Sequence, residues 1–384
     1  MKKNTMQLTL FITNACNLDC IYCYQHLKNT KTMSFECATS WINKCLSNNN
    51  EFVNIYLFGG EPMLEFHLLK RICEWTWQQT WNSEYRFVIQ TNGTLLDTEM
   101  KDWFAKNKDK IELCLSLDGN REAHNKNRNN SFDKIDIGFF KNTWPNPPVK
   151  MTISKSNLSN LKESIVWLHE LRFRFSGCNL ALGEGAFDES FFYSLSTQLK
   201  QLADYYIANP IIKIAPIINV PIHRLASNDT QKHISCHIET EQLVVVNTDG
   251  STSPCSFFSN ISLNKNQREE LQKELDGLSI EKLYCYENCK FFNVCDICYA
   301  ENYTETGDIY KPSESRCKLM MLRIIATMYT KANRIALKKK EEITQEDLYT
   351  VHSILQYYRQ LQSKYNIDSF NLSESIIKQL INLE

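Results

Sequence analysis

Cys16, Cys20 and Cys23 fall within eight residues, in the run Cys16-Asn-Leu-Asp-Cys20-Ile-Tyr-Cys23. Thiolates this close together converge on one metal centre. Three of them complete neither a tetrahedral zinc site nor the usual four-thiolate ferredoxin set. A 4Fe–4S cluster held by three cysteines keeps one iron without a protein ligand, open to a substrate or cofactor. A second set lies downstream: Cys236, Cys255, Cys285, Cys289, Cys295, Cys298 and Cys317. Its dense part, Cys285-x3-Cys289-x5-Cys295-x2-Cys298, also has metal-ligand spacing, and a zinc ribbon could use four of these thiols. The remaining Cys37, Cys45, Cys73, Cys114 and Cys178 sit in apparent helices and strands and read as small buried hydrophobes.

Regular elements must carry these loops. Candidate strands are Gln7–Thr13, Phe52–Phe58, Tyr85–Thr91, Glu112–Leu117, Val149–Ser154 and Arg174–Ala181. Helical spacing fills Phe35–Leu46, Phe66–Thr80, Asp97–Asn107, Asp133–Asn142, Leu158–Leu171 and Asp188–Asn209. Strand-then-helix repeated six times predicts a parallel sheet with right-handed crossovers. Six units fall short of the eight that close a barrel. The expected α/β fold is therefore a partial (β/α)6 TIM barrel over residues 1–210. Chemistry in such folds gathers at the strands' C-terminal ends, and the three-cysteine loop follows the first strand. Beyond it, Pro210, Pro216 and Pro221 rule out one continuous helix. Asp249-Gly250, between two strand-like runs, reads as a hairpin turn. The second cysteine set marks a separate domain over 211–319. A helical extension, 320–384, carries Leu322, Ile325, Met328 and Tyr329 at a spacing that reads as packing surface.

Composition excludes several classes. At 384 residues the chain can hold about two domains. A net charge of −1 gives no footprint for a nucleic-acid partner. The run Lys338, Lys339, Lys340 reads as a solvated helix face. Fifteen cysteines, an odd number in short clusters, fit metal binding in a reducing cytoplasm better than disulfides. Lys2 and Lys3 precede an apolar run, but Gln7, Thr9 and Thr13 interrupt it, which speaks against an export signal. No apolar stretch approaches the ~18 residues that span a bilayer.

Taken with the sequences that end the next strands, Cys16-x3-Cys20-x2-Cys23 resembles the signature of the radical S-adenosylmethionine (SAM) enzymes. Phe58-Gly59-Gly60-Glu61-Pro62 resembles that family's Gly-Gly-Glu-Pro motif, where paired glycines let a ligand approach the backbone and the glutamate accepts from the SAM ammonium. Thr91-Asn92-Gly93 and Ser116-Leu-Asp118-Gly119 end the third and fourth strands. The resemblance makes Asn92, Ser116 and Asp118 SAM contacts, Ser116 the most direct. Arg128, in His124-x3-Arg128, matches the arginine that pairs with the SAM carboxylate. The aspartate usual after that histidine is Asn125 here. Tyr22 matches the aromatic position whose backbone meets the adenine. The implied chemistry is one-electron cleavage of SAM at the open iron to methionine and a 5′-deoxyadenosyl radical, which takes a hydrogen atom from an unactivated carbon.

The order Cys236-x13-Gly250-x4-Cys255, then the dense segment, then Cys317, resembles the SPASM domain, which carries two auxiliary 4Fe–4S clusters. The family's middle spacing is x2, x5, x3; here it is x3, x5, x2. By position, Cys285, Cys289, Cys295 and Cys317 hold the outer cluster and Cys236, Cys255 and Cys298 the inner one. The inner cluster then has an open iron for a substrate thiolate, or is completed by a neighbour such as His233 or His237. SPASM-bearing enzymes modify peptides and proteins: they form thioether or carbon–carbon crosslinks, epimerise residues, or oxidise cysteine or serine to formylglycine. Sulfatase maturases usually carry an aspartate base after the cysteine matching Cys255, where this chain has Ser256, so peptide maturation ranks first and sulfatase maturation second. Relatives that crosslink peptides often have a leader-gripping domain ahead of the first strand; with that strand starting near Gln7, it is expected to be absent. Expected partners are a peptide or small protein and a reductant such as flavodoxin or ferredoxin. The competing class is a non-catalytic iron–sulfur carrier or scaffold, against which the SAM-type loops speak.

Overall fold

All six expected strands form in the computed structural model, which describes residues 5–48, 50–182, 187–226, 236, 238, 242–365, 367 and 369–384. They are β1 (Thr5–Thr13), β2 (Phe52–Gly59), β3 (Glu84–Thr91), β4 (Ile111–Ser116), β5 (Pro148–Ile153) and β6 (Arg174–Leu180). Parallel strands are covered on both faces and read as near-continuous apolar runs. Accordingly Leu8, Leu10, Phe11 and Ile12 of β1 are all fully buried. Leu8 stands opposite Ile55 and Leu10 opposite Leu57 in the β1–β2 pair.

Two further strands extend the sheet beyond β1. Strand β7 (Leu243–Val246) pairs parallel with β1, and β8 (Thr252–Ser253) returns antiparallel to β7. The order is β6-β5-β4-β3-β2-β1-β7-β8. The Asp249-Gly250 turn forms as expected, with Gly250 at φ +85° and Ser251 N–H donating to Asp249 Oδ1 at 3.0 Å. The hairpin's attachment to β1 comes from burial: Phe11, Val245 and Ile261 share one core cluster, flanked by Phe58 and Leu243. The fold is a mostly parallel partial barrel followed by a helical C-terminal region.

Helices follow the strands: α1 (Phe35–Leu46), α2 (Phe66–Trp77), α3 (Thr98–Lys106), α4 (Arg121–Asn127), α5 (Ile137–Thr143), α6 (Leu161–Glu170) and α7 (Glu189–Ala208). Ser34, Asp97 and Asn120 cap α1, α3 and α4 by accepting from Cys37, Met100 and Ala123 N–H. The expected helix 133–142 splits into a 3-10 turn, Phe132–Lys134, and α5. Asp136 causes the break by capping α5, accepting from Phe139 N–H. Short, polar α4 has no apolar period and was not expected.

By compactness the chain divides into two units. The first comprises Met1–Thr152, Trp167–Gly177 and His237–Leu278; it holds β1–β4, β7, β8, α1–α5 and α8 (Lys265–Asp276). The second comprises Ile153–Val166, Cys178–Cys236 and Ser279–Glu384. It contains α7, α9 (Cys285–Asn288), α10 (Tyr299–Thr306), α11 (Glu314–Ala336), α12 (Gln345–Tyr365) and α13 (Glu374–Ile381). Helix α11 packs against α7, α12 and α13. Leu322, Ile325 and Met328 are buried on it, while Tyr329 is half-buried. Among the described residues no helix is long and apolar enough to cross a membrane.

Candidate active site

Cys16, Cys20 and Cys23 lie in the irregular segment between β1 and α1, all three free and half-buried. The base of this loop closes through Asn14 N–H to Lys31 O and Met33 N–H to Ile12 O, both at 2.9 Å. Its middle is tied by Ile21 N–H to Asn127 O at 3.0 Å, and its far side by Leu27 N–H to Ile261 O at 2.8 Å.

The loop also lies directly on Gly59 and Gly60. Gly60 N–H donates to Thr13 O (2.9 Å) and Glu61 N–H to Ala15 O (2.8 Å). A Cβ at Gly60 would stand 2.1 Å from Ala15 O, and one at Gly59, where φ is +144°, 2.2 Å from Thr13 O. The close approach that the glycine pair permits is therefore made by the cysteine loop's own backbone. Glu61 is fully buried at this junction. Its Oε1 accepts from Thr91 Oγ1 (2.7 Å) and Met63 N–H (3.1 Å), and its Oε2 from Asn92 N–H (2.7 Å). Burial pushes the Glu61 carboxyl up to about 7, against the pull of these donors.

Asn92 reaches the cysteine loop through Asn17, its Nδ2 donating to Asn17 Oδ1 at 2.9 Å. Asn17 Nδ2 in turn donates to Thr94 Oγ1 at 2.9 Å. Sequence reasoning missed Asn17; its position inside the cysteine signature was the available signal. Ser116, at the end of β4, accepts from Gln90 Nε2 at 3.3 Å.

Asp118 organises the fourth strand end. Fully buried, it accepts a two-point fork from Arg128, Nε to Oδ2 at 2.9 Å and Nη2 to Oδ1 at 3.2 Å. Its carboxylate also accepts from Tyr22 OH (2.7 Å), Asn127 Nδ2 (3.1 Å) and Thr152 N–H (2.9 Å). The third guanidinium nitrogen, Arg128 Nη1, lies 4.0 Å from Cys20 Sγ. His124, also missed as a positioning group, contacts Ser131 Oγ through Nε2 (3.0 Å) and accepts Asp118 N–H at Nδ1 (3.4 Å). Burial, reinforced by Arg128, pulls the imidazole down to about 4, so it is neutral at pH 7.

These groups fit the iron–sulfur cluster and SAM of the resemblance. The donor set is three free thiols in one half-buried loop, the number that keeps one iron open. Burial pushes Cys20 up to about 11 and raises Cys16, so a thiolate here needs a positive partner; Arg128 opposes burial at Cys20, and Lys28 opposes it at Cys16. Among the described residues no three His, Cys, Asp or Glu side chains gather as for a single ion. The fit rests on donor type and number.

The second cysteine set divides: Cys255 lies in the first unit, Cys236 and Cys298 in the second. His233 and His237 lie outside the described residues. Cys285, Cys289, Cys295, Cys298 and Cys317 all line one cavity of about 250 Å³. Short elements bring them together: Cys285 starts α9, Cys289 ends it, Cys298 precedes α10, and Cys317 lies in the first turns of α11. Helix α12 contributes Gln360, Leu361, Lys364 and Tyr365 to the wall. Lys290 Nζ donates to Gln360 Oε1 at 3.0 Å, and the Phe291 and Tyr357 rings meet at 5.4 Å. The C-terminal helices therefore help build this cysteine cage.

Known proteins resemble this chain in sequence and in fold. Residues 10–137 match the profile of the Radical SAM superfamily. The chain is 24% identical over 319 residues to the cysteine-type anaerobic sulfatase-maturating enzyme of Clostridium perfringens, covering 74% of this chain and 85% of that enzyme. Over 112 residues it is 38% identical to an uncharacterized protein of Methanocaldococcus jannaschii, covering 29% of this chain and only 38% of that protein's length. The solved structure of native anSMEcpe with bound AdoMet and Cp18Cys peptide superposes with a TM-score of 0.66 at 20% identity, over 87% of this chain and 100% of that one. Streptococcus suis SuiB bound to precursor peptide SuiA superposes with a TM-score of 0.55 at 17% identity, over 82% and 76%. At such identities the superpositions show a shared fold. The chain carries a radical SAM domain at residues 10–137, the domain of enzymes that use a 4Fe–4S cluster with SAM.

Proposed function

We propose that this chain is a cytoplasmic radical SAM maturase that modifies a peptide or small protein. The observation that carries the reading is the convergence of three free thiols, in the loop after β1, with the ends of β2, β3 and β4. Cys16, Cys20 and Cys23 hold the first cluster; Tyr22, Gly59, Gly60, Glu61, Asn92, Ser116, Asp118 and Arg128 form the SAM site. Together, when bound, cluster and SAM supply a carbon-centred radical that removes hydrogen from the substrate. The chain's own residues hold the loop rigid: Glu61 joins β2 to β3, Asn92 and Asn17 join β3 to the loop, and Asp118 aims Arg128 at Cys20. Cys285, Cys289, Cys295 and Cys317 hold the outer auxiliary cluster, and Cys236, Cys255 and Cys298 ligate the inner one. In this reading residues 1–210 form the radical SAM barrel, 211–319 the SPASM domain and 320–384 the helical extension. A flavodoxin or ferredoxin supplies the electron.

The modification proposed is a thioether or other crosslink, or a related oxidation. Formylglycine formation on sulfatases is the second reading, supported by the likeness to the Clostridium perfringens enzyme across most of both chains. Against it stands Ser256 in place of the aspartate base. The test is anaerobic incubation of reconstituted protein with SAM and dithionite. 5′-Deoxyadenosine should form, and Cys20→Ala should abolish it while auxiliary iron is retained. No 5′-deoxyadenosine from intact wild-type clusters would leave an electron carrier instead. Mass spectrometry then separates the substrates: small peptides encoded beside the gene should lose hydrogen, whereas a sulfatase-derived cysteine peptide converted to formylglycine would favour the second reading.

A further inference from the structure

A buried arginine lies inside the cysteine cage with no part in the radical SAM site. Arg316 precedes Cys317 on α11 and lines the cavity shared by the five thiols. Its side chain is 15% exposed and its partner Glu301, on α10, only 4%. Nη1 meets Glu301 Oε1 at 3.0 Å, and Nη2 donates to the carbonyl of Asp296 at 3.2 Å. That carbonyl belongs to the two-residue link, Asp296-Ile297, joining Cys295 to Cys298. The guanidinium is thus fixed at the link between the two cysteines, in the cavity that both of them line. Cys295 belongs to the set of four assigned to the outer cluster and Cys298 to the set assigned to the inner one.

We propose that Arg316 is a shared positioning cation. Held by Glu301 and the Asp296 carbonyl, it stabilises negative charge on the outer and the inner auxiliary cluster at once. The inference rests on the reading that these cysteines hold iron–sulfur clusters. An arginine suits the task because it stays charged when buried and its fork fixes its place. Cluster potentials respond to net charge and to hydrogen bonds near the sulfurs. A fixed cation favours the reduced, more negative state, and a freed carboxylate opposes it.

The test is a redox titration of both auxiliary clusters, followed by electron paramagnetic resonance, in full-length reconstituted protein with Cys16, Cys20 and Cys23 replaced by Ala. Arg316→Gln should move both potentials negative, and Arg316→Lys should recover part of the shift. Glu301→Gln should move both positive, because the cation then stands unbalanced. Opposite signs from two neutral replacements are not expected of loosened packing. If Arg316→Gln loses iron, Glu301→Gln decides by its sign. Full iron with unmoved potentials, or a shift confined to one cluster, overturns the proposal. A parent protein without auxiliary iron and sulfide would overturn the cluster reading itself.

Discussion

Replacing Asp118 with Asn tests how the fourth strand end is built. The substitution preserves shape and removes charge. Asp118 accepts hydrogen bonds from Tyr22, Asn127, Thr152 and, at two points, Arg128. An amide presents one oxygen and one NH2, so part of this ring of donors then faces another donor. Arg128, 9% exposed in its side chain, loses the carboxylate that balances it. Removing one partner of a buried pair costs about 3–5 kcal/mol, because the remaining charge stays buried. Arg128→Met with Asp118→Asn removes both charges, so the double variant should be less destabilised than the sum of the singles by about 2 kcal/mol. The assay is urea unfolding of cluster-free protein without oxygen, followed by circular dichroism, for the four members of the cycle. Iron binding by the first loop should fall too, since Arg128 is released from its position beside Cys20. A cost below about 1 kcal/mol for Asp118→Asn, at unchanged urea dependence, would refute the argument that this buried pair organises the loop.

Gly60→Ala should cost about 2 kcal/mol or more, since the new methyl meets backbone at Ala15 rather than a side chain that can move; an unchanged unfolding midpoint and full iron uptake at Cys16, Cys20 and Cys23 would contradict it. His124 should confer acid sensitivity. Titrating near 4 rather than 6.5, it contributes stability that is complete above pH 6.5 and lost as pH falls toward 4, about 3 kcal/mol in all. Glu61 works in the opposite sense, losing stability as pH rises from 4.5 to about 7, so the informative quantity is the wild-type stability minus that of His124→Gln; a difference that does not change with pH would count against the buried neutral imidazole. Leu361→Ala, on the α12 wall of the cysteine cage, should cost about 2–5 kcal/mol and speed loss of auxiliary iron in air; iron loss at the wild-type rate would mean that α12 does not shield the cage.

The barrel was legible because most of its strands hold short apolar runs and a segment of helical period follows each of them. Asn17, His124 and α4 were harder to see for one reason. Their roles depend on partners at the ends of other strands, and neither apolar period nor composition reports such pairs. The hairpin β7–β8 shows the same division. Its Asp-Gly turn can be read locally, whereas its docking beside β1 depends on Phe11, Val245 and Ile261 meeting in one core cluster. The glycine pair could be read as a place of close approach, but not what approaches: periodicity cannot say that Ala15 O fills the space where a Cβ at Gly60 would go. Cysteine spacing drew attention to the segment that lines the cavity, whereas α12's place in the wall had no signal beyond an ordinary amphipathic helix.

Pairing within the chain has a consequence for how the first site works. The cysteine loop has no regular structure of its own, yet elements distant in sequence hold it. Gly60 and Glu61 bind its start, Asn92 binds Asn17, Asp118 and Asn127 bind its middle through Tyr22 and Ile21, and Ile261 binds its end at Leu27. None of these contacts needs a ligand. In small zinc domains metal binding must also drive folding; here the barrel has already ordered the loop, so less binding free energy goes into ordering it. The same contacts explain why buried charge is tolerated at this mouth. Asp118 and Arg128 balance each other, and Glu61 is surrounded by donors. The arrangement leaves Arg128 Nη1 turned toward Cys20 Sγ, in the loop that also carries Cys16 and Cys23.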